Sequence, residues 1–118
     1  MRVRIVWSPA SQPLRIEEIS LSGQMLLSEI ERTGGMLEVS LSGSLPPRPL
    51  LRWRLRGSRV PGPSLIDEIR IELRDAWGQW HLVGELLGRG QPWRGERLVG
   101  SLLRGPSSER LMPGWNPV

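Results

Sequence analysis

The chain has 118 residues, with 16 basic and 12 acidic side chains, a net charge of +4 and no cysteine. That length makes one ordinary domain, large enough to bury a core without staples. The composition excludes disulfides, thiolate nucleophiles and thiolate-bound zinc, and no apolar run is long enough for a membrane-spanning helix or a signal-peptide core, so an intracellular protein is expected.

Arg2–Trp7 opens the chain with Val3, Ile5 and Trp7 alternating against Arg2 and Arg4, the period of a half-buried strand. Ser8–Pro13 reads as a loop. Leu14–Leu21 continues as a strand whose phase slips at Glu17-Glu18, as at a β-bulge, a feature common at sheet edges. Gln24–Arg32 admits two readings. A short helix would be capped by Ser22 and ended by Gly34. The preferred reading is a strand, with Ser28–Arg32 folding back on Met36–Leu41 across Thr33-Gly34-Gly35-Met36. That hairpin sets Ile30 opposite Val39 but Glu31 opposite Glu38, a like-charge clash.

Met36–Leu41 alternates cleanly, and Ser42–Pro49 is a proline-rich turn. In Leu50–Arg56, Leu51, Trp53 and Leu55 alternate with Arg52, Arg54 and Arg56, giving one apolar face and one arginine face. Gly57–Ser64 is a loop, and Ile66–Arg74 is a strand with Ile69, Ile71 and Leu73 inward. Asp75-Ala76-Trp77-Gly78 makes a turn into a strand over Gln79–Leu87, with Trp80 and Leu82 on one face. Gly88–Gly95 reads as a glycine-rich loop carrying Trp93, and Glu96–Leu103 as the last strand.

Seven or eight strands with hardly any helix predict an all-β fold: a single-domain antiparallel β-sandwich over residues 1–104, or a small barrel. At most one short helix is expected, near residues 24–32. The proline-rich connections after Leu41 and after Arg56 suit crossings between sheets. Trp53 in mid-strand resembles the core tryptophan of immunoglobulin-like sandwiches, but the cysteine pair is missing, so the resemblance is architectural. Residues 105–118 are expected to form a Pro/Gly-rich tail.

The alphabet is skewed. Every basic residue is arginine, phenylalanine and tyrosine are absent, and tryptophan occurs six times. A GC-rich gene gives this pattern, as does a reading frame overprinted on another, the habit of small viral accessory proteins. Arginine keeps its charge when half buried and pairs bidentately with carboxylate or phosphate.

Catalytic groups are scarce. His81 is the only histidine, lysine and cysteine are missing, and neither a nucleophile elbow nor a phosphate-binding glycine loop occurs. No enzyme activity, metal or cofactor is expected. The candidate binding residues are Arg48, Arg52, Arg54, Arg56 and Arg59, with Trp77, Trp80 and Trp93. Their strongest reading is a non-enzymatic interaction module, structural or accessory to a larger assembly, that self-associates or binds another protein. The alternative is single-stranded nucleic acid on the arginine face, which calls for stacking aromatics as well as charge. A second alternative is carbohydrate on Trp77 and Trp80. Cross-strand pairing of Arg52, Arg54 and Arg56 with Glu68 and Glu72 would instead consume the stripe within the fold.

Overall fold

A computed structural model describes residues 1–41, 46–57, 65–88 and 92–103. Eight strands follow in order: β1 (Arg2–Ser8), β2 (Leu14–Leu21), β3 (Gln24–Arg32), β4 (Met36–Ser40), β5 (Leu50–Gly57), β6 (Glu68–Arg74), β7 (Trp80–Leu87) and β8 (Trp93–Leu98). A single 3-10 turn follows at Gly100–Leu103. The strands form two four-stranded sheets, ordered β4-β1-β6-β7 and β3-β2-β5-β8. All pairings are antiparallel. The fold is thus an all-β sandwich. Only β2–β3 and β6–β7 are hairpins between consecutive strands; every other connection changes sheet, including the two proline-rich ones.

The alternating patterns place the core between the sheets. Val3, Ile5 and Trp7 face Leu14, Ile16 and Ile19, and Ile69, Ile71 and Leu73 join Leu51, Trp53 and Leu55. Trp7 is buried with its indole N–H donating to the Gln12 carbonyl at 2.8 Å. Trp53 lies across two glycines. A Cβ on Gly95, directly opposite it in β8, would approach its ring to 2.5 Å, and one on Gly84 of β7 to 2.8 Å. Trp93 closes this cluster edge-on, with ring centroids 5.5 Å apart.

Three expectations change. Gln24–Arg32 is a strand, but it pairs with β2 and not with Met36–Leu41. Ser22 and Gly23, at φ of 47° and 87°, form a two-residue turn with both central residues left-handed, the type that matches strand twist. Gly34 and Gly35 then carry the chain to the other sheet. Glu31 lies opposite Arg15, and Glu38 opposite Arg4, so the like-charge clash vanishes. The expected bulge falls at Glu17, between Ile16 and Glu18, on an inner strand. Trp93 lies on a strand, not in a loop, because Gly95 makes room for the Trp53 ring. Finally, β8 stops at Leu98.

Edges are protected. On β7, Val83 bulges between Leu82 and Gly84, and the Arg97 guanidinium of β8 donates to the carbonyls of Leu82 (3.2 Å) and Val83 (3.1 Å). On β3, Glu29 takes a left-handed φ of 52° beside the Glu17 bulge. Bulges and inward charges of this kind discourage strand-to-strand aggregation.

Candidate functional site

Two outward faces carry the predicted residues. On the outer face of the second sheet, β2 and β8 flank the arginine stripe of β5. Arg52 lies opposite Glu96, and its Nε and Nη2 reach the same carboxylate oxygen at 3.1 and 3.0 Å. Arg54 and Arg56 share Glu17 more loosely, at 3.7 and 3.9 Å. The stripe is therefore paired as expected of a charged sheet face, but not by the expected acids. Glu68 and Glu72 sit on β6 in the other sheet, where Glu72 accepts from Arg4 at 2.8 Å and Glu68 meets Arg70 at 3.3 Å. β5 and β6 are consecutive in sequence but not neighbours.

Between β2, β5 and β8 lies an open groove of about 320 Å³, with Glu18, Arg52, Arg54, Arg94 and Glu96 around it and Trp53 and Gly95 also in its lining. The sequence singled out Arg52 and Arg54 for this place but missed Arg94, whose segment read as loop. Trp53 is the one aromatic residue in that lining, and it is only 5% exposed. Trp93 packs against it. The groove thus supplies guanidinium groups without a stacking platform. Arg48 stands apart, exposed between Pro47 and Pro49 over a shallow hollow of about 220 Å³ with Leu98 and Ser101. Arg59 and residues 105–118 lie outside the described residues.

The other face belongs to β7 and its flanks. Trp77 is 59% exposed on the β6–β7 turn. Asp75 builds that turn: one carboxylate oxygen accepts the N–H groups of Trp77 (2.8 Å) and Gln79 (2.9 Å), and the other accepts from His81 Nε2 at 2.8 Å. Burial raises the Asp75 pKa, but the His81 hydrogen bond and the two backbone donors outweigh it and leave the carboxyl below its ordinary value of 3.8. The sole histidine thus braces a turn. Trp80 starts β7 with the Arg4 guanidinium 3.8 Å above its ring centroid. That cation–π contact covers one face of Trp80, so Trp77 and Trp80 do not form an open double platform.

Sequence reading named Trp77 but passed over the leucines that share this side. Seven large apolar side chains are exposed among the described residues, and four of them, Leu65, Trp77, Leu82 and Leu87, lie on β7 or the segments flanking β6–β7. Strand alternation announced Leu82, but nothing local distinguishes an outward leucine from an inward one. Among the described residues no three His, Asp or Glu side chains gather where a metal ion could sit, and no helix is long and apolar enough to cross a membrane. No family model matches the chain, and neither a curated protein nor a solved structure matches it.

Proposed function

We propose that this chain is a non-enzymatic β-sandwich interaction module that self-associates through the side of β7. One observation carries the reading: exposed apolar side chains recur along this strand, with Leu82 49% and Leu87 68% exposed on β7 and Trp77 59% exposed on the turn that precedes it. A single surface leucine needs no explanation, whereas several along one strand and its turn favour an interaction surface. The geometry supports a side-chain interface over strand addition, because Arg97 and the Val83 bulge already occupy the β7 edge. One such patch per chain suits a two-fold dimer, in which the same surface meets itself. Trp77 is the anchor, since tryptophan dominates interface energies when it is desolvated.

Sedimentation velocity across a wide concentration range tests this. The wild-type chain passes from monomer to dimer, and the double variant Leu82→Glu, Leu87→Glu stays monomeric with an unchanged unfolding midpoint. A wild type that stays monomeric throughout, or a double variant that dimerises as well as wild type, overturns the reading.

A further inference from the structure

We propose that the groove between β2, β5 and β8 is a binding site for a small phosphorylated sugar or polyol, its phosphate held between Arg54 and Arg94. The two arginines stand directly opposite each other across β5–β8. Like charges in that relation destabilise a sheet, and the neighbouring position shows the alternative, since Arg52 faces Glu96 there. Two other arginine pairs face each other among the described strands, and in each at least one member meets a carboxylate. Arg15 pairs with Glu29 while Arg56, opposite it, has Glu17. Arg2 pairs with Glu38 while Arg74, opposite it, packs against the Gly78 turn.

In the third pair Arg54 has Glu18 opposite it on β2 and a loose contact with Glu17, and Arg94 is the unrelieved member. Arg94 has no ion pair or hydrogen bond among the described residues. The Arg54 Nε has no hydrogen bond, its closest carboxylate oxygen being 3.7 Å away on Glu17. This pair lines a groove, and about 320 Å³ lies within the range of small-ligand sites. Two guanidinium forks complement a dianionic, tetrahedral phosphate, which accepts from both at once. The walls add the second half of the specificity. Glu18 and Glu96 would repel a bare polyanion but accept hydrogen bonds from hydroxyl groups, so the ligand is an anion at one end and a polyol at the other. This site lies on the outer face of the second sheet and does not depend on self-association through β7.

The test is thermal unfolding of the full chain with glucose 6-phosphate, inorganic phosphate, glucose or sodium chloride at matched ionic strength. Glucose 6-phosphate is expected to raise the midpoint beyond sodium chloride and more than inorganic phosphate does, and glucose to leave it unchanged. Arg94→Glu should abolish the rise and, in ligand-free buffer, match or exceed the wild-type midpoint, because it replaces repulsion with an ion pair. Amide chemical shifts of Arg54, Arg94 and Gly95 should move on titration. The proposal is overturned if glucose 6-phosphate acts no differently from sodium chloride or from phosphate. It is equally overturned if Arg94→Glu keeps the response, or if Arg94→Glu lowers the ligand-free midpoint, which would make Arg94 a fold residue.

Discussion

Trp53 and its two glycines set the tolerance of the core. Deleting a buried tryptophan removes its transfer free energy and leaves a cavity, so Trp53→Ala should cost about 3–5 kcal/mol in denaturant unfolding. Gly95→Ala puts a methyl where the ring already lies 2.5 Å from the ideal Cβ position. That overpacking should cost about 1–3 kcal/mol; a neutral result would mean the ring has room to move. Asp75 gives a second test at this scale. Its folded pKa lies below the ordinary 3.8, so its contribution is complete above the unfolded value and is lost as pH falls through the folded one. Asp75→Asn should therefore be less stable than wild type at neutral pH, and the difference should shrink under acid. A difference that does not change with pH contradicts the role assigned to the carboxylate. The alternation of Leu51, Trp53 and Leu55 was enough to read Trp53 as core. The role of Gly95 was not legible, because a glycine that accommodates a ring from the facing strand looks in sequence like a glycine that makes a loop.

Among the elements, strands were legible and their partners were not. Period-two alternation says that a segment is a strand with one face inward, and it says nothing about which strand lies beside it. Two clues to the true pairing were nevertheless present. Ser22-Gly23 fits a two-residue turn, and the clash of Glu31 with Glu38 counted against the other hairpin. The assignment of Glu68 and Glu72 to the arginine stripe failed for the same reason, since β5 and β6 are consecutive yet lie in different sheets. The edge of β7 offers a test at this scale. Arg97→Ala removes the donor to two edge carbonyls and should lower stability by on the order of 1 kcal/mol. It should also raise light scattering at high concentration, because the freed edge can pair with another strand. Unchanged scattering and stability would show that the Val83 bulge alone protects the edge.

The whole molecule presents two unlike surfaces. The outer faces of both sheets are lattices of arginine and glutamate, in which most charges are spent on one another; exposed pairs of this kind add only about 0.2–1 kcal/mol each. The side of β7 breaks that pattern with leucine and tryptophan. Composition indicated an interaction protein through what it lacked for catalysis, but the location of the apolar surface required the sheet order. The most direct measurement is the change in backbone amide shifts on dilution of the full chain. The account predicts concentration-dependent shifts confined to Leu65, Trp77 and the residues of β7, lost in the Leu82→Glu, Leu87→Glu variant. Shifts that do not change with concentration, or that map to the arginine face of the second sheet, would contradict it.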